Sequence, residues 1–234
     1  MNASLCTILQ KISGMSTSFT EENYLKAIYK LQETNGETVA TSTLAQVMGV
    51  HAPSVTDMLK RMAGKKLVIY QKSRGFKITE KGRQVAVDII RRHRLWEVFL
   101  VDKLGFRWDE VHNIAEELEH IQSSPLVNKL DAYLGYPKAD PHGDPIPDAN
   151  GVLPKSRSVL LSSLKAGKAG KFTGVSDHSS SFLNYLDKIG ISLGDAIKIK
   201  HVEEFDKTYT LELKGKKPAV VSYKVANSLL VIEQ

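Results

Sequence analysis

Six side chains in the middle of this sequence have the types and spacing that hold a transition-metal ion. His93 and Glu97 stand four residues apart, and His112, Glu116, Glu119 and His120 follow at i, i+4, i+7 and i+8. On a helix, such residues project from one face. Two packed helices can therefore converge imidazole nitrogens and carboxylate oxygens on one or two ions without help from a loop. Mixed N/O ligation suits Mn²⁺, Fe²⁺, Co²⁺ or Zn²⁺ better than a soft, thiolate-seeking metal. Taken singly, an i, i+4 His/Glu pair is more often a solvated helix face than a ligand pair, and it is their joint occurrence that points to a metal. His142, in a Pro-rich loop, reads as structural. His201, beside Glu203 and Glu204, reads as solvated.

A second chemistry lies nearer the N-terminus. Residues 1–87 carry 12 Lys/Arg against 6 Asp/Glu, residues 88–150 carry 7 against 12, and residues 151–234 carry 13 against 8. A basic head suits a polyanion and an acidic middle suits a cation. Tyr24, Ala27, Ile28 and Leu31 recur at helical spacing over 20–32, and Thr41–Met48 reads as a second short helix ended by Gly49. Pro53 opens a third helix, where its missing N–H costs nothing, and that helix buries Val55, Met58, Leu59 and Met62. Two helices joined by a tight turn, followed by β-prone runs 67–70 and 76–78 around a basic Gly-containing turn, describe a winged helix-turn-helix.

The start of the second helix of such a unit meets the base edges. Here it offers His51, Ala52, Pro53, Ser54 and Thr56. Ser54 and Thr56 are hydrogen-bonding groups, and Ala52 and Pro53 suit thymine methyls. Arg61, Lys72 and Arg74, with Lys60, Lys65 and Lys77, are phosphate-binding cations. Asp57 must accept from cytosine or pair with a cation. The other reading of this unit is a protein–protein contact module.

Further elements must position these groups. Thr79 caps a helix running to about Leu104, followed by helices over 108–122 and 126–134, a Pro/Gly/Asp-rich loop over 136–154 and a Lys/Ser/Gly-rich stretch over 156–174. The last 60 residues alternate like strands (196–201, 208–213, 219–224 and 229–232) after a short helix at 179–186, which suggests a small β-barrel. The expected organisation is a flexible extension (1–17), a winged-helix domain (18–87), a helical domain (88–155), a linker (156–174) and a β-barrel domain (175–234). Met15 is a second plausible start. No apolar run reaches the roughly 18 residues of a membrane span. The one cysteine, Cys6, excludes a disulfide framework and a cysteine-based zinc site, and a cytoplasmic setting fits.

At these residues the sequence resembles the diphtheria-toxin-repressor family of iron- and manganese-dependent regulators. The matching stretches are Thr20–Leu31 (TEENYLKAIYKL), Ala52–Met62 (APSVTDMLKRM), Ile78–Gly82 (ITEKG), Arg92–Leu95 (RHRL), Val111–His120 (VHNIAEELEH) and the loop Pro141–Pro147 (PHGDPIP). The likeness covers nearly all the chain after Met15. It implies a mainly α fold with β: a winged helix, a helical dimerisation domain that holds metal, and a C-terminal barrel of the Src-homology type. It also implies a repressor rather than an enzyme. Mn²⁺ or Fe²⁺ acts as co-repressor, with Co²⁺, Zn²⁺ or Ni²⁺ as substitutes, and the loaded homodimer binds palindromic operators of metal-uptake genes.

By the resemblance, His93, Glu97 and His112 match the family's ancillary site, and Glu116, Glu119 and His120 its regulatory site. Iron-type members carry Cys where this chain has Glu116, and oxygen in place of sulfur favours Mn²⁺. The first-helix ligand, Met or Asp in the family, falls on Asn23, and Lys26 stands where some manganese sensors place a further acid. The barrel's extra ligands fall on His178 and Ser181, with Asp177 as a substitute for the latter. Two rivals remain at this level: a winged-helix regulator of another ligand, and a metal-dependent hydrolase with Glu116 or Glu119 as base.

Overall fold

The computed structural model describes residues 17–36, 38–71, 75–154 and 157–234. They fall into two compact units, one up to Ile90 and one from Arg91 to Gln234, and the boundary lies inside a 25-residue helix.

In the first unit, α1 (Phe19–Asn35) starts at a capping box. Ser18 Oγ accepts from the Glu21 N–H at 3.3 Å, and Glu21 Oε2 accepts from the Ser18 N–H at 3.0 Å. Lys65 reaches the same Glu21 carboxylate at 2.8 Å, which ties the end of the third helix to the start of the first. α2 (Thr41–Met48) ends at Gly49, whose φ of 65° lies in the left-handed region. α3 (Ala52–Gly64) follows with Pro53 in its first turn and buries the predicted Val55, Met58, Leu59 and Met62. Strands β1 (Val68–Gln71) and β2 (Gly75–Ile78) form the antiparallel wing, with Val68 opposite Ile78. Phe76, Leu25, Ile28, Leu44 and Leu59 are fully buried in this unit. Burial of each such side chain contributes about 1.5–3 kcal/mol.

Thr79 caps α4 (Glu80–Leu104), its hydroxyl oxygen accepting from the Gly82 N–H at 3.0 Å. In the second unit the C-terminal part of α4 packs against α5 (Val111–Leu118) through Leu100, Val111 and Ala115. It packs against α6 (Ser124–Tyr133) through Leu95, Val98, Val127 and Leu130. Arg91 on α4 and Asp131 on α6 pair at 2.7 Å. The helix expected over 108–122 is shorter than its apolar pattern. Trp108–Glu110 form a turn, and the helix stops at Leu118 with Glu119 as its cap.

The C-terminal β domain contains β3 (Val159–Leu160), a 3-10 turn (Leu161–Ser163), β4 (Ala169–Val175), α7 (Ser180–Ile189), β5 (Ala196–Val202), β6 (Tyr209–Leu213), β7 (Ala219–Val221), α8 (Tyr223–Ala226) and β8 (Leu229–Glu233). Two expectations are corrected here. The stretch 156–174 is no linker, because it supplies β3, the 3-10 turn and most of β4, with Leu161 and Phe172 fully buried. Its polar residues sit between those anchors and hide the strand pattern. The barrel is not closed: the six strands run β3-β8-β4-β5-β6-β7, an open sheet. β3 has two residues and β7 three, and the run expected as a strand over 219–224 turns into α8, so its edges are too short to pair.

Candidate functional site

α4 and α5 bring His93, Glu97 and His112 together, with ligand atoms all within 4.8 Å of one another. Their positions follow from the fold. Leu95 and Val98 anchor one face of α4 in the core, which turns the face bearing His93 and Glu97 inward beside α5. His93 Nε2 lies 3.0 Å and His112 Nδ1 3.4 Å from Glu97 Oε1. The His93 and His112 rings meet edge to face, centroids 4.9 Å apart. The other nitrogen of His93 lies 2.7 Å from Glu119 Oε2. A neutral imidazole has one N–H, so His93 satisfies two carboxylates only as an imidazolium or with a cation on one nitrogen. This set of imidazoles and carboxylates, buried but for the half-buried His112, is donor chemistry that suits a divalent transition metal.

The remaining metal candidates take different places. Glu119 is fully buried against His93; it keeps helical dihedrals and lies four residues after the buried Ala115, on the same side of α5. Glu116 is half-exposed, its carboxylate 3.7 Å from His112 Nε2. His120 is half-buried in the turn after α5. Among the described residues, no group of three with ligand atoms within 4.8 Å of one another contains Glu116, Glu119 or His120, and Glu119 pairs with His93. Asn23 is exposed on α1 in the first unit. His178 stands 3.7 Å from Asp144, its ring 5.1 Å from that of His142. Ser181 is exposed, and Asp177 accepts from the Ser179 N–H at 2.9 Å. His201 is solvated and pairs with Glu203 at 3.2 Å.

Two groups in this neighbourhood escaped the sequence pattern. His142 and Asp140, both buried in the loop before the β domain, meet Glu97. His142 Nδ1 lies 3.5 Å from Glu97 Oε2, while His142 Nε2 donates to the Trp108 carbonyl at 2.8 Å. The only signal was the run of Asp140, His142 and Asp144 in the PHGDPIP motif. A loop has no periodicity to aim them. Burial alone would raise the Glu97 carboxyl pKa, but hydrogen bonds from His112, His142 and His93 outweigh it and hold it far below the usual range. Asp140 is pushed up to about 7 by burial and by the charges of Glu97 and Asp144, against Arg94 and His142. Burial would lower His142, but Glu97 and Asp140 raise it to about 9.

The first turn of α3 is open to solvent, with His51, Ala52, Pro53 and Ser54 all exposed. His51 provides no side-chain cap, and Thr56 donates its hydroxyl to the Ala52 carbonyl at 3.1 Å. Asp57 pairs with Lys60 at 3.4 Å, which supplies the cation its carboxylate needed. Arg61 is exposed on the same helix. Lys72 and Arg74, expected at the wing tip, lie outside the described residues.

A solved manganese-dependent transcriptional repressor in complex with manganese is 35% identical to this chain, with a TM-score of 0.83, and the match covers 92% of this chain and 100% of that one. The family profiles described as the N-terminal DNA binding domain and the metal binding and dimerisation domain of iron dependent repressors match residues 16–76 and 79–148. The chain belongs to the iron-dependent repressor family. A FeoA domain profile matches residues 159–233, the open sheet and its helices. Among curated relatives of the family, the iron-dependent repressor IdeR of Mycobacterium tuberculosis is 38% identical over 128 residues, which is 55% of each chain. The diphtheria toxin repressor of Corynebacterium diphtheriae is 34% identical over 128 residues, 55% of this chain and 56% of that one. The chain thus spans little more than half the length of the curated relatives it matches. The solved structure of ScaR with bound Cd²⁺ is 33% identical with a TM-score of 0.75, over 90% of this chain and 98% of that one.

Proposed function

We propose that this protein is a cytoplasmic transcription repressor that takes Mn²⁺, or Fe²⁺, as its co-repressor and binds a palindromic operator of metal-uptake genes as a homodimer. The observation that carries the reading is the union of a solvent-open α3 start with the His93–Glu97–His112 group, buried but for the half-buried His112, in one chain. Bound by these groups, a divalent ion supplies the positive charge that holds two imidazoles and a carboxylate in one arrangement. Glu116, Glu119 and His120 form the regulatory set in this reading, completed by the amide oxygen of Asn23, and His178 supports the ancillary set. Oxygen at position 116 favours Mn²⁺ over softer ions. Asn23 contributes no charge, so it is the weakest ligand and the one that couples metal to the DNA-binding helices. Ser54 and Thr56 then read base edges, and Arg61, Lys72 and Arg74 hold phosphates.

Operator binding by the full chain, measured by fluorescence anisotropy with Mn²⁺ and with excess chelator, tests the reading. Binding is expected with Mn²⁺ and lost with chelator, and Glu119→Ala and His120→Ala are expected to abolish the response. Equal affinity in both conditions overturns the co-repressor role. Full response in both variants overturns the assignment of the regulatory set.

A further inference from the structure

We propose that β domains of separate molecules dock tip to face: the acidic end of the β5–β6 hairpin, led by Phe205, seats on the basic outer face of the sheet in a second copy of this chain. Phe205 is 100% exposed, and Glu203, Glu204 and Asp206 are exposed beside it. A lone apolar residue on a surface is ordinary. This one is set apart by the three acids around it and by the turn that holds it. The Glu203 N–H donates to the Thr208 carbonyl at 2.9 Å, the Lys207 N–H to the Glu203 carbonyl at 3.1 Å and the Thr208 N–H to Asp206 Oδ1 at 2.9 Å. Lys207 closes the turn with a φ of 58°, a left-handed conformation uncommon for a residue with a Cβ. An aromatic ring presented by a fixed turn loses little freedom on docking.

The receiving face is built by the outward residues of β4, β5 and β8. Lys171 on β4 stands opposite Ala196 on β5 and Ile232 on β8, and Ala169 on β4 stands opposite Lys198 on β5. Lys171, Lys198 and Ile232 are exposed, and the two alanines are half-buried. Lys171 and Lys198 are thus diagonal neighbours on one face, within reach of each other. Lys214, whose N–H donates to the Ala196 carbonyl at 3.3 Å, adds a third cation at the end of β6. The nearby acids are taken: Glu212 by Lys200 at 2.9 Å, Glu233 by Lys168 at 2.8 Å and Asp195 by Lys216 at 2.7 Å. Among the described residues, that leaves Lys171 and Lys214 without an acid partner. The tip supplies the missing acids. Ala169, Ala196 and Ile232 give its ring an apolar floor, and lysine ammonium groups beside the ring add cation–π attraction.

Tip and face lie at opposite ends of β5. From Lys198 to Glu203 the strand runs roughly 17 Å, and the hairpin continues away from the face, so a chain cannot seat its own tip. The contact joins different patches on two chains, and such heterologous contacts repeat into rows or rings. Both patches lie outside residues 79–148, which match the metal binding and dimerisation profile, so the contact is separate from the homodimer.

Sedimentation velocity of the full chain over a concentration series, without DNA, tests the proposal. The wild type is expected to grow beyond two chains as concentration rises. Salt at about 1 M is expected to return it to the homodimer, because exposed charges are then screened beyond about 3 Å. Phe205→Ala, and Lys171→Glu combined with Lys198→Glu, are each expected to weaken the growth about tenfold or more. These residues are exposed, and an unchanged melting temperature checks that the variants keep the fold. Mixed together, the two variants are expected to associate again, since the first retains its face and the second its tip. A wild type that stays a homodimer at every concentration overturns the proposal. Growth that either variant leaves unchanged overturns it too, as does a mixture that fails to associate.

Discussion

Glu97 collects three imidazoles on one buried carboxylate, and that single residue explains why the His/Glu pattern was legible at all. The i, i+4 spacing of His93 and Glu97 is enforced by the helix, and the structure keeps it. Glu116, one turn after His112, stays half-exposed and 3.7 Å from that ring, as helical spacing also demands. Glu119 was not legible in the same way. It keeps helical dihedrals and an N–H bond to the Ala115 carbonyl at 2.8 Å, but helical spacing alone does not say that its carboxylate meets His93 of the other helix. His142 and Asp140 were illegible because a loop aims its side chains by turn hydrogen bonds, not by period. At this scale the metal preference is testable. Glu116→Cys replaces a hard oxygen with a soft, polarizable sulfur while keeping His93, Glu97 and His112 in place. The Mn²⁺ concentration for half-maximal operator binding is expected to rise about tenfold or more, as removal of an oxygen ligand costs on the order of 1.4 kcal/mol or above. The Fe²⁺ or Co²⁺ concentration is expected to fall or hold. An unchanged Mn²⁺/Co²⁺ ratio in anaerobic titrations would remove position 116 from the regulatory set.

Helices and hairpins with strong periodicity came through from sequence: α2, α3 and the wing lie where the apolar spacing and Gly49, Pro53 and Gly75 put them. The 156–174 stretch did not, because β3 has two residues and β4 alternates buried Phe172 with Lys171 and Thr173 among glycines. Its strand character is set by its neighbours in the sheet, β5 and β8, which are distant in sequence. The loop ahead of it is held by close backbone approach. Gly143 has a φ of 90°, and a Cβ there would lie 1.9 Å from the Thr173 carbonyl oxygen. Gly143→Ala therefore meets both backbone strain and a clash with main chain that cannot yield cheaply. A loss of about 1–3 kcal/mol in urea unfolding is expected, together with weaker Mn²⁺ binding, because the adjacent His142 packs its ring against Glu97 at 3.5 Å. A stability equal to wild type would mean that loop and strand separate freely.

The turn before α5 makes a second bond to the β domain. Asp109 takes Arg107 at 2.9 Å and the Asn184 amide at 2.7 Å. Burial acts to raise its pKa, but those hydrogen bonds outweigh it and leave it lowered. A lowered folded pKa stabilises above the unfolded value, near 3.9, and that contribution disappears as pH falls through the folded value. Asp109→Asn is expected to cost under about 1 kcal/mol at pH 7, since the pair is solvent-screened. The gap to wild type should close as pH drops below about 4, measured by denaturant titration at each pH. A gap that stays constant down to pH 3 would place the effect in packing instead of charge.

Over the whole chain, charge is divided: a basic head, an acidic middle that carries the candidate metal ligands and a basic β domain. That division was legible from composition alone. The compact units were not, because α4 runs through the boundary and helical periodicity gives no sign of a domain edge inside it. The joining of the helical and β regions into one unit uses Arg107, Trp108, Asp109 and His142, whose contacts follow no periodic pattern. If metal favours the DNA-competent state, the coupling must be reciprocal. The factor by which Mn²⁺ tightens operator binding equals the factor by which operator tightens Mn²⁺. This can be separated from plain phosphate attraction by salt. Removing one cation that neutralises a phosphate reduces the slope of log affinity against log salt by about 0.9. Arg61→Ala is therefore expected to flatten that slope by about one unit and to weaken binding to operator and to unrelated DNA alike, while the Mn²⁺ coupling factor stays at its wild-type value. Ser54→Ala is expected to do the reverse, leaving the slope intact and narrowing the gap between operator and unrelated DNA. If Arg61→Ala also collapsed the coupling factor, Arg61 would belong to the metal-driven switch itself, and α3 would be a moving part of it instead of a rigid reader.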